Sequence, residues 1–267
     1  MVKLDAMYPT SEQDHRQSGD AAHGSAAAYV DPRTQLHTGL GRFMAGVYGW
    51  MSAGLLVTAV AAYVVSTSPA VMGMLYNSAY LWTEQGMVRS FSGFSVLGWV
   101  VLLSPLAMAF FVTPRMGNMS RTGAVATFMV FSALLGASMG HLPFLHSLGS
   151  IGGAFLITAG MFASLSFIGF VTKRDLSAVG RFGYMAVIGL ILATAVSWFV
   201  PGISLGISAL VVLVFAGLTA YNTQQIKQVY LVHGDRDNVA IMGALSLYLD
   251  FINMFQAILH LLGGSRD

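Results

Sequence analysis

An all-α integral membrane protein that crosses the bilayer seven times is the fold class this sequence predicts, and three observations predict it. Of 267 residues, 55% are hydrophobic and only 9% charged, against about 25% charged in soluble domains; the mean hydropathy is +0.69. Seven apolar runs of 18 to 24 residues follow one another, each matching the roughly 20 helical residues that span about 30 Å of hydrocarbon. Taking those runs as spans puts 11 of the 13 basic residues on one side, the asymmetry that cytoplasmic loops show. A soluble enzyme, a nucleic-acid binder and a disordered adaptor are excluded. The net charge of +2 is too small to draw in polyanions. The absence of Cys removes disulfides, thiolate metal sites and thiol catalysis together.

The elements follow in order. Residues 1–42 are polar, contain Gly, Ala and Ser, and lack an apolar stripe, which predicts a disordered cytoplasmic tail. Its acids Asp5, Glu12, Asp14, Asp20 and Asp31 set it apart from a transit peptide, and it has no apolar core of a secretory signal. The transmembrane domain, residues 43–262, is read as Phe43–Val65, Phe91–Val112, Thr122–His141, Ile151–Val171, Phe182–Val200, Ile203–Ala220 and Val239–Leu262. Only Pro201 and Gly202 separate the fifth and sixth runs, which demands a tight antiparallel hairpin. The 12-residue stretch Val71–Trp82 has apolar positions at 71, 72, 75, 76, 79 and 80, the stripe of a helix lying in the membrane interface. Gly136 and Gly140 share a GxxxG spacing suited to close helix packing. Residues 263–267 form a short outer tail.

Acidic residues sort just as sharply. Five lie in the tail, Glu84 and Asp267 fall outside, Asp175, Asp235 and Asp237 fall in inner loops, and Asp250 is left alone in the seventh run. It stands eleven residues beyond Val239, roughly 16 Å of helical rise and hence near the bilayer midplane. A carboxylate there costs several kcal/mol unless it is protonated, paired or hydrated. Asp250 is therefore a functional candidate by default, with an interhelical hydrogen-bonding role as the structural alternative. Gly243, Ser246, Asp250 and Asn253 recur at three- and four-residue steps and make one small, polar stripe on an otherwise apolar helix. The cluster Tyr221–Gln225, taken by itself, reads as a solvated helix end. His141 and His146 are five apart with Pro143 between them, so they do not share the face that a metal pair needs. Gly136–His141 lacks the partners of an intramembrane serine protease, and no nucleophile, base and orienter can be assembled, so no enzyme activity is expected.

The stretch Phe215-Ala-Gly-Leu-Thr-Ala-Tyr-Asn-Thr-Gln-Gln-Ile-Lys227 and Ala244-Leu-Ser-Leu-Tyr-Leu-Asp-Phe-Ile-Asn253 closely resemble the signature of the Bax-inhibitor family of transmembrane proteins. Gly169-Phe-Val-Thr-Lys-Arg-Asp-Leu-Ser177 and Val47-Tyr-Gly-Trp-Met-Ser-Ala-Gly-Leu55 look like its bacterial branch. The resemblance implies six helices in two layers around a central seventh, in a bacterial inner membrane with the N-terminus in the cytoplasm. It implies a slow, pH-sensitive Ca²⁺ leak with no resident cofactor beyond transient Ca²⁺. A non-conducting regulator that binds another inner-membrane protein, such as a protease complex, is the alternative. In relatives two carboxylates, one at the end of the sixth helix and one in the seventh, share a proton, and an Arg at the inner end of the second helix locks them. Asp250 matches the seventh-helix acid, and Arg115 is the choice for the lock, with Arg121 the other possibility. The sixth-helix acid is replaced: the family's Tyr-Asp-Thr stands here as Tyr221-Asn222-Thr223. Asn222 cannot ionise, so the coupled titration of two carboxylates and one hard oxygen charge for Ca²⁺ are both lost.

Overall fold

A computed structural model of the protein describes residues 32–83, 86–197, 199, 202–234 and 238–263. The expected tail up to residue 31, the acids Glu84, Asp235, Asp237 and Asp267, and the basic residues Lys3, Arg16, Arg236 and Arg266 lie outside the described residues.

Among the described residues six helices are long and apolar enough to cross a membrane, not seven. They lie within α1 (Pro32–Thr67), along α4 (Arg121–Ser138) and on to Leu145, and within α6 (Leu148–Val171), α7 (Ser177–Ser197), α8 (Ser204–His233) and α9 (Val239–Gly263). The short helices α2 (Pro69–Leu75), α3 (Val96–Phe111) and α5 (Leu142–Leu145) complete the helical set.

The difference arises between α1 and α4, in two corrections. Val71–Trp82 is not one interfacial helix: α2 ends at Leu75 and the chain turns into strand β1 (Tyr76–Thr83), paired antiparallel with β2 (Gly86–Phe94). The apolar spacing hid a strand rich in Tyr, Trp and Thr, which favour a pleated surface. The second run, expected over Phe91–Val112, therefore loses its first residues to β2 and survives as the 16-residue α3, which contains Pro105. Ser95 caps it by accepting from the Gly98 N–H. A single hairpin is thus added to an otherwise helical chain.

Two helices are longer than their apolar runs. Helix α1 starts at Pro32, so residues 32–42, assigned to the tail by composition, are helical. Leu40 is buried there and Phe43 stacks on Tyr230 of α8, with ring centroids 4.6 Å apart. Helix α8 continues 13 residues past Ala220 to His233. Between α7 and α8, Gly202 takes φ +92°, a left-handed conformation that glycine adopts without strain.

Close approaches fix how the helices lie. On α1 and α4, Gly54 meets Phe128, Gly136 meets the backbone of Thr58, and Gly140 meets Val65. Both residue numbers rise together, so α1 and α4 run parallel. The GxxxG pair thus packs helices as expected. Helix α6 meets α8 through Gly169 against the Ala220 backbone, and α7 meets α8 through Gly180 against the Tyr221 ring and Gly183 against Leu218. Helix α9 is the most buried span, packed on α8, α1 and α6. Its Tyr248 is fully enclosed: the hydroxyl lies 2.6 Å from Thr58 Oγ1 and the ring stands edge-on to Phe128.

These contacts make a contrast that can be measured. A Cβ at Gly136 or Gly169 would run into backbone, whereas one at Gly160 meets nothing within 4 Å. Gly136→Leu and Gly169→Leu should each cost more than about 2 kcal/mol, at the upper part of the overpacking range, and lower the detergent-solubilised melting temperature. Gly160→Leu should leave it unchanged; equal effects at all three sites would show that these contacts do not hold the helices.

Candidate functional site

Helices α8 and α9 follow each other along the chain and pack against each other as an antiparallel pair. Asn222 lies eleven residues before the end of α8 and Asp250 eleven residues after the start of α9. Each is roughly 16 Å of rise from that helix end, so they stand level with each other. The Asn222 amide donates from Nδ2 to Asp250 Oδ2 at 2.7 Å, with both residues at least 95% buried. No tilt or break is required. The cluster Tyr221–Gln225 is correspondingly no solvated helix end: it lies inside α8, and Asn222, Thr223 and Gln224 are buried.

Three successive residues of α8 reach in different directions and hold it in place. Asn222 faces α9. Thr223 lies 2.9 Å from Ser166 of α6, whose hydroxyl is 2.6 Å from the Tyr48 hydroxyl of α1. Gln224 grips the turn between α6 and α7, donating to the carbonyls of Thr172 and Arg174 and accepting from the Leu176 N–H. One turn on, Lys227 donates to the Phe170 carbonyl and sits 5.2 Å from that ring. In the same turn the Ser177 hydroxyl and backbone N–H hold the Asp175 carboxyl below its usual range. At the start of α9, Asn238 donates to the carbonyls of Met116 and Met119, fixing the 3₁₀ turn Thr113–Asn118 that follows α3.

The amide of Asn222 is itself oriented. Tyr184 of α7 donates its hydroxyl to Asn222 Oδ1 at 2.9 Å, which directs Nδ2 toward Asp250. Tyr184 escaped the sequence analysis. Its signal was positional: Gly180, Gly183 and Tyr184 share the face of α7 that meets α8.

Two cavities flank this chain of bonds. The smaller, about 310 Å³, is lined by Thr113, Gln225, Val239 and Met242 and lies toward the start of α9. The larger, about 570 Å³, lies between α3 and α7 and includes Asp250, Asn253 and Gln256. Tyr184, Asn222, Ser246 and Leu249 line both. Gly243, Ser246, Asp250 and Asn253 of the stripe read from the sequence thus each line one or both cavities. Ser246 lines both cavities, and Asn253, which donates to the Leu249 carbonyl of its own helix, lines the larger one.

The structure does not bring Arg115 to this site. It is exposed in the turn after α3 and donates to the Phe111 carbonyl. Arg121 is likewise exposed, at the start of α4. Among the described residues Asp250 has no cationic partner, and no group of three His, Cys, Asp or Glu is arranged for a metal ion. His141 bonds the Ser138 carbonyl through Nδ1, and His260 Nδ1 lies 3.0 Å from the Ser208 hydroxyl.

Comparison with known proteins places these features in a family. Residues 40–267 match the family described as "Inhibitor of apoptosis-promoting Bax1". The chain is 36% identical over 244 residues to "Inner membrane protein YbhL" of Escherichia coli K12, covering 89% of this chain and 96% of that one. It is 39% identical over 235 residues to an uncharacterized protein of Caulobacter vibrioides, covering 86% and 91%. An uncharacterized protein of Deinococcus radiodurans is 38% identical over 230 residues, covering 84% and 91%.

The bond order Tyr184 to Asn222 to Asp250 predicts an energetic asymmetry. Asn222→Leu strands a carboxylate and a hydroxyl together, which should cost about 2–4 kcal/mol, since each buried group left unsatisfied costs roughly 1–3. Gln225→Leu, at an exposed neighbour, should be within about 0.5 kcal/mol of the unaltered protein. Melting temperatures of the two variants in one detergent check this; a match between them would deny the bonds a structural role.

Proposed function

This chain belongs to the Bax inhibitor-1 family, and on that premise we propose that it is a passive, pH-influenced cation leak of the inner membrane, with calcium as the ion and Asp250 as its central ligand. The observation that carries the reading is the meeting of two cavities at Tyr184, Asn222, Ser246 and Leu249, beside the only acid buried among the described residues.

The chemistry suits a leak rather than a store. A hard divalent cation takes six or more oxygens and gains affinity with their charge. One carboxylate, the side-chain oxygens of Asn222 and Asn253 and the Ser246 hydroxyl supply few ligands and a single charge. Such a site binds weakly, and weak binding lets an ion leave as readily as it enters. The uncharged Asn222 favours one competing reading, a non-conducting regulator of another inner-membrane protein, since a binding module has no need of a titrating pair.

A seven-span topology with a cytoplasmic N-terminus belongs to the same proposal. Parallel α1 and α4 require the chain to return across the membrane between them, and α3 is the element available. Its 16 residues give about 24 Å, and the 3₁₀ turn after it adds the remainder. Of the described basic residues, Arg33, Arg42, Arg115, Arg121, Lys173, Arg174, Arg181 and Lys227 then share one side and Arg89 falls on the other, and the turns that Gln224 and Asn238 hold lie with the larger group.

Flux from purified protein in liposomes tests the function. Ca²⁺ should pass, and Asp250→Asn should reduce its flux by about tenfold or more at equal incorporation and melting temperature. Undiminished flux would remove Asp250 from the pathway, and absent Ca²⁺ flux in the unaltered protein would favour the regulator. Asn222→Asp creates two touching carboxylates that titrate as one unit. Its flux should depend more steeply on pH between about 5 and 8 than that of the unaltered protein; superimposable curves would mean that position 222 does not govern the response.

A further inference from the structure

The larger cavity is open at its side as well as toward Asp250. Leu106 of α3 and Ile191 of α7 form two of its walls, and each is about half exposed, at 50% and 51%. If α3 and α7 cross the membrane, that opening meets lipid and not water. One wall is polar, with Asn222, Ser246, Asp250, Asn253 and Gln256 contributed by α8 and α9, and Leu102, Val187 and Leu190 line the cavity from α3 and α7.

The polar wall mixes the donors and acceptors of Ser246, Asn253 and Gln256 with a single charge, the Asp250 carboxylate. Asn222 satisfies Asp250 Oδ2, and Oδ1 has no hydrogen-bond partner among the described residues. Asn253 gives one N–H of its amide to the Leu249 carbonyl, and its side-chain oxygen accepts from no described residue. No lysine, arginine or histidine lines the cavity. A phosphate or carboxylate would be repelled there, and a wholly apolar molecule would leave Oδ1 without a partner. An ammonium supplies both the positive charge and the N–H donors. A volume of about 570 Å³ lies within the roughly 300–1,000 Å³ of small-molecule sites.

We infer that this cavity binds lipophilic ammonium compounds that enter sideways from the bilayer, the ammonium seated on Asp250 and the apolar body held between α3 and α7. The inference shares Asp250 with the leak reading but needs no ion to move.

The test uses the full chain in lipid nanodiscs, with 4-phenylbutylamine and its neutral counterpart 4-phenylbutanol as probes and empty nanodiscs as the partitioning control. Calorimetric titration at about pH 8, where a primary amine is protonated, should show the amine binding about tenfold or more tighter than the alcohol. Asp250→Asn should abolish that preference. Leu106→Trp, which fills the cavity from its wall without touching the carboxylate, should weaken amine binding by a similar factor. Equal binding of amine and alcohol would overturn the inference, as would a preference that survives Asp250→Asn or amine binding undisturbed by Leu106→Trp. Failure of the leak reading is separable, because amine binding in a protein that passes no Ca²⁺ leaves this site standing, and Ca²⁺ flux through a protein indifferent to the amine removes it alone.

Discussion

Everything near the centre of this protein is arranged around one carboxylate that water does not reach freely. Asp250 is 3% exposed, in a helix long and apolar enough to span a bilayer. A charged or half-bonded group in such a place costs several kcal/mol. The fold meets that cost with a donor on the neighbouring helix and a cavity on the other side, not with a counter-ion. Asn222 gives one hydrogen bond, and Tyr184 fixes which end of the amide gives it.

Holding a 2.7 Å bond between two long helices requires that neither slide, and the surrounding contacts prevent sliding. Glycines set depth: α6 and α7 both press on α8 where a side chain would strike its backbone or its rings. Polar side chains set register, with Thr223 tied to Ser166, Gln224 to the α6–α7 turn and Tyr248 to Thr58. Interhelical hydrogen bonds in membranes are individually modest, about 0.6 kcal/mol on average. Their effect here is geometric: each connects α8 or α9 to a different neighbour, so a shift of either helix breaks several at once.

Much of this was legible in the sequence. Asp250 emerged by elimination among the acids, the stripe Gly243, Ser246, Asp250 and Asn253 from helical spacing, and close packing at Gly136 and Gly140 from GxxxG, though not which helix they meet. Residues whose apolar or polar character depends on a neighbour were read less well. Asn222 looked like a helix end because hydropathy falls after Ala220, yet α8 continues on polar residues that other helices satisfy. The hairpin after α2 was missed because positions 71, 72, 75, 76, 79 and 80 also suit a helix; alternation and Tyr, Trp and Thr content were the competing signal. Arg115 was placed by its nearness to the second run, and nearness along the chain does not tell which way a short 3₁₀ turn presents a side chain.

The amide at position 222 has a physical consequence beyond the missing charge. Two carboxylates in contact are held together by a shared proton, and the pair comes apart when that proton leaves. An amide is directional: it accepts at one end and donates at the other without any proton being gained or lost. With Tyr184 donating to Oδ1, the remaining N–H faces Asp250 whether the solution is acid or alkaline. The link between α8 and α9 is therefore insensitive to the event that would release an acid pair. Within this pair the one group left to gain or lose a proton is Asp250, which lines the larger cavity.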